Sequence, residues 1–167
     1  MYRIFSFFII VLLFISCSKT TDQDLLDRAQ NEVKDKKIKE AIADLESLLK
    51  EFPDSKLAPK ALVQLGTIYQ GQLVKNIKMR DSFEKAQEYF REVYDKYPDS
   101  EEAPNSLFMS SFILANHLYR FKDATAGYKL FMEKYPNNPL VTSAKDELEN
   151  MGLSPEEILK KKEVAKN

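Results

Sequence analysis

One phrase occurs three times in this chain: AIADLESLLKEFPDS, AQEYFREVYDKYPDS and ATAGYKLFMEKYPNN. Aligned on Ala41, Ala86 and Ala124, the copies keep register without a gap. Leu45, Phe90 and Tyr128 follow four residues on, and Leu48, Val93 and Phe131 follow at seven. Phe52, Tyr97 and Tyr135 stand at eleven, with Pro53, Pro98 and Pro136 at twelve. Apolar residues at i, i+4, i+7 and i+11 share one face of an α-helix, and a proline just past the last of them stops it. The prolines are spaced by 45 and then 38 residues. A unit repeating at that distance cannot bury its apolar face alone and stacks on its neighbours. The expectation is an all-α array of helical pairs.

The stretches between the copies supply the partner helices. A first helix is expected from about Asp24 to Lys34, with Leu25, Leu26, Ala29 and Val33 on one face and a turn at Asp35-Lys36-Lys37. In PDSKLAPKALVQLGTIYQ, Ser55 reads as an N-cap, followed by the stripe Ala58, Ala61, Leu62, Leu65 and Tyr69. Small residues at 58, 61 and 66 let a neighbouring helix approach closely. The middle pair has extra chain, GQLVKNIKMRDS, expected to lengthen both of its helices by about one turn. Asp81 with Glu84 would then form a capping box. Lys75, Lys78 and Arg80 make this hairpin tip the most basic spot on the chain. It reads first as a solvated tip and second as a partner contact. After Pro136, residues 140–150 read as a helix. Ser154-Pro155-Glu156-Glu157 opens a last one, an N-cap, proline at N1 and acids in the first turn. Residues 152–167 are thus a C-terminal helix and polar tail, the cap that a solenoid's exposed end requires.

Leu62-x2-Leu65-Gly66-x2-Tyr69 resembles the first helix of a tetratricopeptide repeat, with leucine where that motif has tryptophan. Ala41, Leu45 and Pro53 resemble its second helix. The resemblance implies a right-handed tetratricopeptide (TPR) helical-hairpin solenoid over residues 24–151, about three helix pairs plus C-terminal capping helices. The next occurrence, PDSEEAPNSLFMSSFILAN, departs at Ser110 and Ser111, where Leu-Gly is expected, and at Leu114 in place of tyrosine. Looser packing is expected there. By the same resemblance, the first helix of each pair lines the concave face. The peptide-binding positions then fall on Lys60, Val63, Thr67, Gln70, Asn105, Phe108, Phe112 and Asn116. Phe108 and Phe112, four apart, read equally well as core. Clustered Lys/Arg is absent from this set, which favours an extended apolar or mixed peptide over a C-terminal carboxylate.

The N-terminus sets an expected compartment. Arg3 is followed by an apolar stretch from Ile4 to Ile15 broken only by Ser6, the length of a secretory h-region and short for a transmembrane helix. It reads as an uncleaved anchor, an ordinary signal, or something sharper, because Phe14-Ile15-Ser16-Cys17 resembles a bacterial lipobox. The −3 position departs from the usual leucine. The resemblance implies a signal peptide over 1–16 and lipidation of Cys17, with 17–23 as a polar tether. Removing 1–16 leaves 24 basic and 26 acidic residues. Each buried CH₂ of the attached chains contributes about 0.8 kcal/mol, so several chains anchor stably.

The repeated [FY]-P-D-S-x2-A-P-x-[AS]-L, joined to a lipobox, resembles periplasmic BamD-like lipoproteins of outer-membrane assembly; the CpoB-like division coordinators are a near alternative. That resemblance implies a non-enzymatic scaffold, lipid-anchored on the periplasmic face of the outer membrane, whose partners are envelope proteins or extended peptide segments. A coordinator of cell division and peptidoglycan is the second reading. An accessory subunit of an envelope enzyme is the remote one. Three pairs are fewer than the roughly five of BamD-like proteins, so functions carried by missing repeats do not transfer.

Other chemistry finds little support. With 25 basic and 26 acidic residues the net charge is −1, no footprint for nucleic acid. One cysteine and one histidine exclude an internal disulfide and all but exclude a Cys/His zinc cage. The four glycines are isolated, so no phosphate loop exists. His117 reads as a surface or packing residue, and the pairs Glu101-Glu102 and Glu156-Glu157 as acids at helix starts. No cofactor and no small-molecule substrate is expected.

Overall fold

The computed structural model describes residues 20–164 and holds eight helices in chain order among them. They are α1 Asp22–Lys34, α2 Ile38–Glu51, α3 Ala58–Gln70, α4 Met79–Lys96, α5 Ala103–Asn116, α6 Phe121–Lys134, α7 Val141–Asn150 and α8 Pro155–Val164. The three copies of the repeated phrase form α2, α4 and α6. The expected signal peptide, Cys17 and the next two tether residues lie outside the described residues, while the tether's last two, Asp22 and Gln23, already belong to α1.

Each pair packs as predicted by its stripe: α1 on α2, α3 on α4, α5 on α6, with α4 also laid firmly on α5 and α2 on α3. Ala41, Ala86 and Ala124 are fully buried, as are Leu48, Val93 and Phe131 one or two turns on. The core runs along the stack rather than around a centre. One cluster joins Leu25, Leu26 and Ala29 to Leu45, Leu48, Leu65 and Ile68. A second joins Tyr69, Phe83 and Phe90 to Phe108, Tyr128 and Phe131, and the half-buried Tyr89 touches both.

The turn after each copy repeats in atomic detail. Ser55, Ser100 and Asn138 each donate their backbone N–H to the carbonyl of the aromatic residue before proline, all at 3.0 Å. Each then accepts from the first residue of the next helix at its own carbonyl. Ser55 is therefore not the N-cap. Its hydroxyl accepts from the Leu57 N–H at 2.9 Å inside the turn and donates to Asp22, tying the start of α1 to this edge. α3 opens one turn later, after Leu57.

Other departures have local causes. α1 begins at Asp22 because Thr21 and Asp24 form a reciprocal capping box there. The extra chain of the middle pair goes into one helix only. α3 stops at Gln70, where Gly71, Gln72 and Leu73 donate back to Thr67, Tyr69 and Ile68 and satisfy its last carbonyls. An open loop with left-handed residues at Gln72 and Asn76 follows, and α4 takes 18 residues against 14 in α2 and α6. The expected Asp81–Glu84 box does not form, since α4 starts at Met79 and Asp81 already sits within its first turn. Ser82, fully buried, instead donates to the Tyr69 carbonyl at 2.6 Å.

The expected looseness at Ser110 and Ser111 is also reversed. In α3, Gly66 receives the Phe90 ring, which stands 3.0 Å from where a Cβ would be. In α5 that place is taken by Ser111, and the facing helix gives way instead. A Cβ on Gly127 would collide with the Ser111 hydroxyl. Both Ser110 and Ser111 are buried, Ser110 accepting from Gln87 at 3.1 Å and Ser111 donating to the Leu107 carbonyl at 2.9 Å. At the C-terminal end, Ser154 and Glu157 form the expected opening of α8.

Candidate binding cleft

Val63, Thr67 and Gln70 stand at i, i+4 and i+7 on α3 and so share one face. Asn105 and Met109 do the same on α5. Between the two helices these residues line an open cleft of about 450 Å³, with Phe90 of α4 at its floor and Glu101, Glu102 and Ser106 at one end. Four of the eight expected peptide-binding residues, Val63, Thr67, Gln70 and Asn105, are thus brought together. The Thr67 hydroxyl is satisfied within its own helix, donating to the Val63 carbonyl at 2.8 Å. The Gln70 and Asn105 amides hydrogen-bond to no described residue, leaving donors and acceptors for the backbone of an extended chain.

The other four go elsewhere. Lys60 lies in a neighbouring groove of about 580 Å³ at the proline-turn edge, with Lys56, Pro59, Tyr97 and Asp99. That groove shares Glu101 and Glu102 with the cleft, so Lys60 stands near its mouth. Phe108 is core, only 8% exposed and packed edge-on to Tyr128 and Phe131 with ring centroids at 5.5 and 5.7 Å. Phe112 is half-buried against the same cluster and meets His117 edge-on at 6.0 Å. Asn116 is exposed, but its amide donates to Glu147 at 3.0 Å in a separate cleft between α5, α7 and α8. One face of α5 therefore divides, its N-terminal half lining the cleft with α3 and its last turn facing Glu147 of α7 across a second one.

Two parts of the surface escaped the sequence reading. Met109 and the Glu101-Glu102 pair line the cleft, although Glu101 and Glu102 precede α5 rather than sitting in its first turn. Next to it, an apolar groove of about 380 Å³ runs between α1 and α3, lined by Val33, Gln64, Ile68 and Leu73. Thr67 is the wall common to both. The signal for this groove was Val33, at the end of the α1 stripe and beyond what one helix pair can cover.

The titratable groups show no catalytic arrangement. His117 stacks flat on Phe83, centroids 3.9 Å apart, and desolvation holds its pKa below the ordinary histidine value. Burial pushes the Tyr89 phenol up, and its hydroxyl reaches only Glu46 at 3.4 Å. Among the described residues no group of His, Cys, Asp and Glu is placed to hold a metal ion, and no helix is long and apolar enough to cross a membrane.

No curated protein matches the chain. The family model of the tetratricopeptide repeat matches residues 25–55 and 60–100, which are α1 with α2 and α3 with α4. The matched pairs, one of which supplies the α3 wall of the cleft, are similar to tetratricopeptide repeats, modules that bind peptide or protein partners, and the described residues form an all-α solenoid of stacked helix pairs.

Proposed function

We propose that this chain is a non-enzymatic, lipid-anchored scaffold of the cell envelope that holds an extended segment of a partner protein in the α3–α5 cleft. The cleft carries the reading: Val63 and Met109 offer apolar contact, Gln70 and Asn105 offer unengaged amides, and one opening is lined by Glu101 and Glu102. That chemistry suits an extended segment of mixed apolar and polar character. The lipobox-like Phe14-Ile15-Ser16-Cys17 supports anchoring through Cys17 on the periplasmic face of the outer membrane. The repeated proline phrase supports a role in assembling outer-membrane β-barrel proteins or in envelope biogenesis.

The test is recovery of partners with the acylated protein from detergent-solubilised membranes, beside Cys17→Ser and the cleft variant Thr67→Lys. Capture of a barrel-insertion protein by wild type, lost in Thr67→Lys, supports the reading. Capture of division or peptidoglycan-binding proteins moves the chain to a coordinator of division. A wild-type mass without an acyl addition on Cys17, read by mass spectrometry beside Cys17→Ser, removes the lipid anchor.

A further inference from the structure

Of the exposed large apolar side chains of the described residues, Leu159 and Val164 stand on the last helix, α8, and the other five gather at one edge. Leu73, Met79, Tyr119, Phe121 and Leu153 stand in or beside the α3–α4, α5–α6 and α7–α8 connections, where helices of a pair turn over. These five lie away from the edge that carries Pro53, Pro98 and Pro136. Four of them form a line. Met79, 63% exposed, lies one turn before Phe83, whose ring stacks on His117. Two residues on, Tyr119 is 71% exposed and meets Phe121 edge-on at 6.2 Å. Phe121 in turn lies against Gly152, beside Leu153.

The backbone and the charges of this edge agree. Tyr119 has φ 56, a left-handed conformation costly for a tyrosine, and its ring meets Phe121 at the edge alone and stays mostly exposed. Glu84 is taken up by Arg80 and Arg120, and Asp123 by Arg120. Lys75, Lys78 and Lys122 form no ion pair with any described residue. The edge therefore offers projecting rings and a thioether flanked by three unpaired ammonium groups against one unpaired carboxylate, that of Asp81 in the first turn of α4.

We propose that this edge docks on an anionic bilayer surface, with Met79, Tyr119 and Phe121 entering the interface and Lys75, Lys78 and Lys122 meeting lipid phosphates. Side chains that project from separate turns match a fluid surface better than a shaped protein pocket. Amphipathic aromatic rings settle at the headgroup level, and lysines are drawn to the negative surface potential. The docking does not depend on the lipid at Cys17.

The test places one environment-sensitive fluorophore on the full chain, at Tyr119→Cys or at Asp99→Cys on the opposite edge. Each is prepared with Cys17 acylated and again in a Cys17→Ser background, so that docking is read whether or not the thiol carries lipid. Vesicles are phosphatidylcholine alone or mixed with phosphatidylglycerol, with a nitroxide-bearing lipid as quencher. The label at 119 is expected to shift to the blue and to be quenched several-fold more than the label at 99. The difference should appear in the mixed vesicles and vanish with Lys75→Glu, Lys78→Glu and Lys122→Glu combined. Equal quenching at the two edges overturns the proposal. A blue shift at 119 without lipid quenching also overturns it and assigns the edge to a protein contact.

Discussion

The Tyr97 hydroxyl donates to the Pro53 carbonyl at 2.8 Å, joining the end of one repeat to the end of the one before. Tyr135 does the same to Pro98 at 3.2 Å. The first copy has Phe52 in that place, which carries no hydroxyl to make such a bond. The two tyrosines of the repeated phrase thus mark the two junctions at which one proline turn is tied to the one before it. Tyr97→Phe should lower stability by about 0.5–1.5 kcal/mol, the net worth of one such bond. It should appear as a lower urea midpoint at unchanged slope. Phe52→Tyr should stay within about 0.5 kcal/mol, as surface changes do. Equal midpoints for wild type and Tyr97→Phe would remove the inter-repeat bond as a source of stability.

Gly127 and Ser111 should behave as one unit. Gly127→Ala forces a methyl onto the Ser111 hydroxyl and should cost about 1–3 kcal/mol as overpacking, despite alanine's better helix propensity. Ser111→Gly opens the space, so the double variant should be more stable than the two single losses predict. A double-mutant cycle in chemical denaturation measures that coupling. Strict additivity would mean the two helices are not in close contact here.

His117 gives stability a pH dependence whose sign is fixed. Desolvation lowers its folded pKa from the model-compound value of 6.5, so between the two values the unfolded chain holds more protons. The contribution is whole above about 6.5 and is lost as pH falls through the folded value. The melting temperature of wild type should therefore drop, relative to His117→Gln, on going from neutral to mildly acid solution. As the only histidine, its ring proton signals can be followed by NMR without assignment. A titration midpoint at or above 6.5 would contradict the flat stacking on Phe83.

Cleft and core variants should separate cleanly. Thr67→Lys alters an exposed side chain and should leave the melting temperature nearly unchanged while abolishing capture of the cleft partner. Phe108→Ala removes a buried ring and should cost about 3–5 kcal/mol, with any loss of binding following loss of folded protein. If Thr67→Lys still retains the partner, binding uses another face.

The sequence by itself determined the helices, their pairing and the turns between pairs. Those depend on residues close in the chain: the 3.6-residue stripe of Ala41, Leu45 and Leu48 and its two later copies, and the proline that ends each. The face of α3 was legible for the same reason, since Val63, Thr67 and Gln70 follow from one helix's own periodicity. What the tertiary structure decided was the rotation and cover of α5. Phe108 and Asn105 are three residues apart and differ by about 60° around the helix, and only the packing of α4 and α6 settles that Phe108 turns to the core while Asn105 stays in the cleft. Asn116 continues the same face, but its amide is engaged by Glu147 of α7. The extra chain at 71–78 likewise could have lengthened two helices. It lengthened one, because Ser82 finds the Tyr69 carbonyl across the pair, a contact between residues that no local pattern connects.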